Sequence, residues 1–74
     1  MKTLTGTEKQ VVYAESLRAR EIARLEASIA EDRAKLAAGK FASLMEKRIA
    51  RNTANLAELQ AMTSARQVLD LLAG

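Results

Sequence analysis

The sequence predicts an all-α protein: an antiparallel helical hairpin of two long helices, with room for a short C-terminal helix. Three observations predict it. The chain has no proline, its three glycines fall at positions 6, 39 and 74, and apolar residues recur at helical spacing on both sides of Gly39. A chain this short buries only roughly 60% of its unfolded surface. We therefore expect one helical domain over 1–74 that self-associates, as a homodimer, into a four-helix bundle or coiled coil.

The first helix is expected over about 8–38. Thr7 followed by Gln10 has the spacing of a capping box, in which the hydroxyl caps a free amide and the glutamine side chain bonds back to Thr7. No helix-breaking residue follows until Gly39, and strong helix formers dominate the segment. Gly39 suits the left-handed residue that closes a helix.

The second helix is expected over about 44–62, after a turn at 39–42. Ser43 followed by Glu46 has the spacing of a second capping box, which would open this helix. A turn this short makes the two long helices antiparallel neighbours.

The C-terminal segment, about 65–73, is apolar and helical in pattern. Ser64 followed by Gln67 is a third capping signal, but Thr63 and Ser64 could also lie inside one continuous helix. The sequence leaves open whether helix two breaks there.

Two apolar stripes run along each helix. The large stripe consists of Val11, Ala14, Ile22, Leu25, Ile29 and Leu36, then Met45, Ile49, Leu56 and Leu59. The small stripe consists of Ala19, Ala23, Ala27, Ala30, Ala34 and Ala37, then Ala50, Ala54, Ala57, Ala61 and Ala65. Facing residues of an antiparallel hairpin have a constant sum of positions, and that sum is 81 for the large stripe and 84 for the alanines. Either stripe can therefore close the hairpin while the other faces a partner. The candidate self-association residues are Ala23, Ala27, Ala30, Ala34, Ala54, Ala57, Ala61, Leu69 and Leu72.

Three polar residues interrupt the large stripe. Asn52 has the character of a buried polar residue that fixes register at a cost in stability. The register places Asp32 near Lys47 and Arg48, which would neutralise it. Arg18 lies on the same face and is either structural or marks where a partner protein enters.

The basic excess is concentrated in the middle of the chain. The whole chain carries 12 basic and 9 acidic residues, but residues 33–51 alone have a net charge of +5. Cations at this density can engage phosphates and give salt-dependent binding. Only Phe41 is present there for base stacking, so a solvated or acidic-partner surface is the rival interpretation. The candidate contacts with nucleic acid or an acidic partner are Arg33, Lys35, Lys40, Lys47, Arg48 and Arg51.

The sequence gives no pattern for catalysis. Histidine and cysteine are both missing, which removes the usual bases, nucleophiles and metal ligands. We expect no enzymatic activity, no catalytic or metal-binding residues, no cofactor and no small-molecule substrate. No apolar run approaches the ~20 residues of a membrane span, and the start lacks the apolar core of a secretory signal. A cytoplasmic protein without membrane binding is the expectation.

The opening of the chain carries a resemblance. Leu4-Thr5-Gly6-Thr7-Glu8-Lys9-Gln10, then Tyr13-Ala14-Glu15 and Leu17-Arg18, resembles the start of small uncharacterised phage and mobile-element bacterial proteins. Their pattern is Leu-Thr-Gly-Ser/Thr-x-Lys-Gln, followed by Trp-Ala and Ile-Arg. Here tyrosine replaces the tryptophan and leucine the isoleucine. The resemblance covers about fifteen residues and implies a phage or mobile-element setting, hence the host cytoplasm, without implying an activity.

Three functions fit these patterns. The leading hypothesis is a non-enzymatic phage or mobile-element interaction protein that binds a protein partner, for example to inhibit a host defence (as anti-CRISPR proteins do) or a nucleic-acid-handling complex. The alternative is a basic nucleic-acid-binding accessory protein that uses the hairpin tip. The third is a structural assembly or scaffold element.

Overall fold

A computed structural model describes residues 3–73 as three helices: α1 (Glu8–Ala37), α2 (Ala42–Ala61) and α3 (Ala65–Leu72). The helices α1 and α2 pack together as an antiparallel hairpin, and α3 folds back against α1. The molecule is long and flat, with extents of 47 × 21 × 14 Å. The predicted all-α hairpin with a short C-terminal helix is confirmed for the described residues.

The start of α1 is capped as its sequence predicts. The Thr7 hydroxyl accepts a hydrogen bond from the backbone amide of Gln10, and the Gln10 side chain accepts one from the amide of Thr7, both at 3.3 Å. These bonds satisfy two of the amides that a helix start leaves without an intrahelical acceptor. The helix continues without a break to Ala37, one residue earlier than the predicted end.

The turn between the long helices spans residues 38–41. Gly39 adopts a left-handed conformation with φ of 74°, which confirms its predicted role in closing α1. The predicted capping box of Ser43 and Glu46 is wrong. Phe41, also left-handed with φ of 51°, occupies the N-cap position, and α2 begins at Ala42 without a side-chain cap. Two left-handed residues complete the reversal by residue 41, so Ser43 is already inside the first turn of the helix.

The large stripe closes the hairpin. Leu25, Ile29, Met45 and Leu59 are buried between the helices, whereas every stripe alanine from residue 19 to residue 61 is exposed. The reason is energetic: burying a leucine or isoleucine contributes roughly 1.5–3 kcal/mol, well above what an alanine methyl offers. Of the two arrangements that the sequence leaves open, the structure therefore adopts the one with the alanines outside.

Polar contacts fix the register within one residue of the predicted sum of 81. Arg48 Nε donates to Asp32 Oδ2 at 3.1 Å, and Asn52 Nδ2 donates to Ser28 Oγ at 3.3 Å; both pairs sum to 80. The predicted neutralisation of Asp32 is confirmed for Arg48. Asp32 is 1% exposed, and a carboxylate so deeply buried needs such a partner.

The second helix ends at Ala61, and α3 starts after a three-residue break. Ser64 occupies the N-cap position of α3 but makes no capping bond through its side chain. The Gln67 side chain instead accepts a hydrogen bond from the backbone amide of Thr63 at 3.4 Å. The third capping signal therefore marks the start of α3 correctly, although the bonds differ from those of a capping box.

The N-terminal arm, residues 3–6, locks this break in place. Thr5 donates its amide to the Thr63 carbonyl, and its carbonyl accepts from the Ala65 amide, both at 2.8 Å. Beside this bridge Leu4 packs into a small core, which also buries three residues of the helices. Those residues are Ala14, Ala65 and Val68.

Candidate functional site

Arg18 lies inside the hairpin, at the end opposite the turn, rather than on its surface. Its side chain is 3% exposed, and Nη1 donates to the Met62 carbonyl at 3.3 Å. Met62 is the C-cap of α2, at the end where a helix leaves its carbonyl acceptors without intrahelical donors. The burial favours the structural interpretation of Arg18 over the alternative that it meets a partner protein.

The six candidate cations are all exposed, but they do not form one patch. Arg48 and Arg51 border a groove on one broad face of the hairpin, together with residues of α1. Arg33 lies on the opposite face, beside Ile29 and Leu56. The flat hairpin therefore divides the basic residues between its two faces, which a count along the sequence does not reveal.

Two of these cations are engaged within the chain. Lys35 pairs with Glu31 at 3.3 Å, and Arg48 pairs with Asp32 at 3.1 Å. Within residues 3–73 the other four cations make no ion pair, so their charged groups are accessible to an anionic partner. Those four are Arg33, Lys40, Lys47 and Arg51.

The groove that Arg48 and Arg51 border is also lined by three residues that the sequence did not indicate as candidates. They are Arg24, Ser28 and Asn55, which line it together with Arg48, Arg51 and Asn52. The missed signal was the register itself, because Ser28 is the residue of α1 that faces Asn52 when positions sum to 80. Arg24 donates to Glu21, and that hydrogen bond, with the negative charge of Glu21, raises the pKa of Arg24.

The exposed alanines form two edges that point in opposite directions. Ala27 follows the buried Leu25 by two residues, and Ala57 precedes the buried Leu59 by two; two residues correspond to about 200° around a helix. Each stripe therefore faces away from the other helix. We call these surfaces the α1 edge (Ala19, Ala23, Ala27, Ala30, Ala34 and Ala37) and the α2 edge (Ala50, Ala54, Ala57 and Ala61).

The remaining predicted self-association residues lie elsewhere. Leu69 and Leu72 are half-buried and pack against the small core of Leu4 and Val68. Ala65, the last member of the small stripe, is fully buried there. These residues therefore hold α3 to its own chain, and the alanines of the two edges are the ones that a partner can reach.

Large apolar side chains also reach the surface, but not as one patch. They lie at the start of α1, in the turn and the start of α2, and on α3. Single exposed residues of this kind are normal on a protein surface. The residues are Val12, Tyr13, Phe41, Leu44 and Leu71.

The residues of the opening motif serve the fold. Leu4 is buried, Thr5 bridges to the α2–α3 break, and Thr7 caps α1 together with Gln10. Gly6 has φ of 146°, and a Cβ there would lie 3.1 Å from the Ala65 Cβ. The motif thus describes an arm that locks a helix start against a third helix.

Within residues 3–73, the Asp and Glu side chains form no group of three or more that could hold a metal ion. None of the three helices combines the length and apolarity that crossing a membrane requires.

Comparison with known proteins gives no match for this chain, whether among protein-family models, curated proteins or solved structures. The resemblance of the opening motif to phage and mobile-element proteins therefore stays a prediction.

Proposed function

We propose that this chain is a non-enzymatic interaction protein that acts by binding protein partners through its two alanine edges. The observation that carries the proposal is the different exposure of the two stripes. The large residues pack inside the hairpin, while the alanines of both long helices stay exposed in a regular pattern. Small residues allow a helix of a partner to approach at the low end of the usual 8–10 Å separation.

The α1 edge is the surface that we assign to self-association. Its alanines run from Ala19 to Ala37, a length of roughly 27 Å at 1.5 Å per residue. Ala23, Ala30 and Ala37 are seven residues apart, which is the repeat of a helix seam that stays in contact with one neighbour. Two copies joined along this edge give an assembly of four long helices.

The α2 edge then remains for a different protein. Because the edges point in opposite directions, one second hairpin covers only one of them. A partner helix with large apolar residues would complement the small surface around Ala54 and Ala57. The setting that we propose is a phage or mobile element, with a host defence or nucleic-acid-handling complex as the target; its support is the opening motif alone.

The test is the mass of the protein in solution. Sedimentation equilibrium of the wild type is expected to give about twice the monomer mass of 8.1 kDa. The variant Ala27→Glu places a charge in the seam and is expected to return the monomer, whereas Ala57→Glu is expected to leave the dimer intact and abolish binding of the partner. A monomeric wild type contradicts the assignment of the α1 edge.

Thr53→Glu is the matched control, since it adds the same charge on a broad face of the hairpin rather than on an edge. Dissociation by Thr53→Glu with retention of the dimer in Ala27→Glu would mean that hairpins stack face to face. Affinity capture of the wild type and of each variant, from cells that produce the protein, measures partner binding. A partner retained by both edge variants would contradict binding through the edges.

A second candidate function is nucleic-acid binding by the tip of the hairpin, residues 33–51, favoured by its four cations that lack an ion pair within the described chain. Fluorescence anisotropy of labelled DNA and RNA at low and physiological salt tests it. Binding that falls steeply with salt, and that Lys47→Glu with Arg51→Glu removes, supports this function. Arg48 is left unchanged because its substitution would strip Asp32 of its partner.

A further inference from the structure

A polar groove of 310 Å³ opens on one broad face of the hairpin, at mid-height. Its volume is at the lower end of the roughly 300–1,000 Å³ typical of ligand sites. None of the lining side chains is a carboxylate. They are Arg24 and Ser28 from α1, and Arg48, Arg51, Asn52 and Asn55 from α2.

The floor of the groove is a polar pair inside an otherwise apolar seam. Asn52 lies between Ile49 and Leu56 of the large stripe and is half-buried, as is Ser28. Asn52 Nδ2 donates to Ser28 Oγ at 3.3 Å, so the Ser28 hydroxyl proton and the second Nδ2 proton are left to donate elsewhere. The floor therefore presents hydrogen-bond donors to whatever enters the groove.

The rim adds the donors of three guanidinium groups. Arg48 uses Nε on Asp32, which leaves both terminal nitrogens. Arg24 uses Nε and one terminal nitrogen on Glu21, which leaves the other. Arg51 makes no hydrogen bond or ion pair with the residues that the structure describes. The carboxylates of Asp32 and Glu21 are thus engaged by these arginines, and the groups left free on the rim are cationic donors.

We propose that this groove binds a phosphate group. A phosphate offers several ionised oxygens in a tetrahedral array, which can accept from arginine forks on the rim and from neutral donors on the floor at once. A register pair of Ser28 and Asn52 alone does not explain why Arg24, Arg48 and Arg51 converge above it. The proposal is independent of partner binding through the alanine edges, and it is narrower than nucleic-acid binding by the tip.

Two kinds of ligand would bring a phosphate group to this groove: a free phosphoanion, or the backbone of a nucleic acid. Lys47 lies one turn before Arg51 on α2 and makes no ion pair in the described chain, whereas Lys35, seven residues after Ser28 on α1, is paired with Glu31. Lys47 therefore extends the positive charge from the groove toward the turn, as a ligand carrying more than one phosphate would require.

The experiment is an NMR titration of the full-length ¹⁵N-labelled protein at physiological salt. The two probes are inorganic pyrophosphate and a single-stranded DNA of about 12 nucleotides. The signals followed are the arginine Nε–H groups and the side-chain amides of Asn52 and Asn55. The variant is Arg51→Gln, and its control is Lys9→Gln, which removes one exposed cation from the first turn of α1, outside the groove.

Shifts confined to the groove, together with affinity that falls roughly 10-fold in Arg51→Gln but stays unchanged in Lys9→Gln, support the proposal. Equal losses in the two variants overturn it, because the binding would then follow net charge rather than the groove. Lack of a shift in the groove with either probe also overturns it. If the oligonucleotide binds far more tightly than pyrophosphate, the source is a nucleic acid; comparable affinities point to a free phosphoanion. Wild-type-like spectra of both variants establish that the fold is intact.

Discussion

The two ends of the hairpin are built differently. The foot, residues 3–18 and 59–72, holds six of the ten buried side chains of the described chain, whereas the tip, residues 33–51, holds only Met45. The tip instead carries six of the twelve basic residues of the sequence, and four of these six make no ion pair in the described chain. The six buried side chains of the foot are Leu4, Ala14, Arg18, Leu59, Ala65 and Val68.

The hydrogen bonds of the two ends differ in the same sense. In the foot, Thr5 bonds to Thr63 and Ala65, which are about sixty residues away along the chain. At the tip, Gly39 and Lys40 bond only to carbonyls three and five residues earlier. Stability is therefore concentrated in the foot, which leaves the tip and the edges tolerant of change and available for recognition.

Two leucines of α2 test this difference between the ends. Leu59 is 1% exposed in the foot, and Leu44 is 53% exposed at the tip. Leu59→Ala leaves a cavity and is expected to lower the free energy of unfolding by about 2–5 kcal/mol. Leu44→Ala is expected to change it by less than about 0.5 kcal/mol. Urea unfolding followed by circular dichroism measures both.

The protein concentration must be held constant in these measurements, because a dimer unfolds at a midpoint that depends on concentration. Similar losses for the two leucines would mean that the tip contributes to stability as much as the foot, which contradicts the concentration of stability in the foot.

The glycines of the two ends provide a second pair. Gly6 in the foot and Gly39 at the tip both have positive φ, so alanine is strained at each. Only at Gly6 would the new Cβ also meet another atom, the Ala65 Cβ at 3.1 Å; at Gly39 nothing lies within 4 Å. We expect Gly39→Ala to cost about 1 kcal/mol of unfolding free energy and Gly6→Ala about 1–3 kcal/mol. A larger loss at Gly39, measured by the same unfolding experiment, would contradict the concentration of stability in the foot.

The sequence predicts the hairpin well because its signals are local or periodic. A capping box and one glycine set the bounds of α1, and the constant sum of stripe positions predicts the register within one residue. That register correctly brings Asp32 to Arg48. Each of these inferences needs only helix geometry and the spacing of a few residues.

The remaining features depend on contacts that leave no periodic trace. The bridge from Thr5 to the α2–α3 break joins backbone groups, which every residue carries, so composition cannot reveal it. The division of the cations between two faces, and the groove between Ser28 and Asn52, follow from seeing both helices together. Both stripes fit the spacing of a hairpin, and only the larger gain from burying leucine and isoleucine decides which one lies inside.

The last pair compares Thr7, whose side chain caps α1, with Ser43, whose side chain does not cap α2. Thr7→Ala removes the hydroxyl that accepts from the Gln10 amide at the foot, and is expected to lower the free energy of unfolding by about 1 kcal/mol. Ser43→Ala is expected to be neutral or slightly stabilising, because Ser43 lies inside α2 at the tip and alanine is the better helix former. Thermal unfolding at fixed protein concentration resolves the two. A loss at Ser43 equal to that at Thr7 would mean that the hydroxyl of Ser43 caps α2 in solution and that the left-handed Phe41 does not begin the helix.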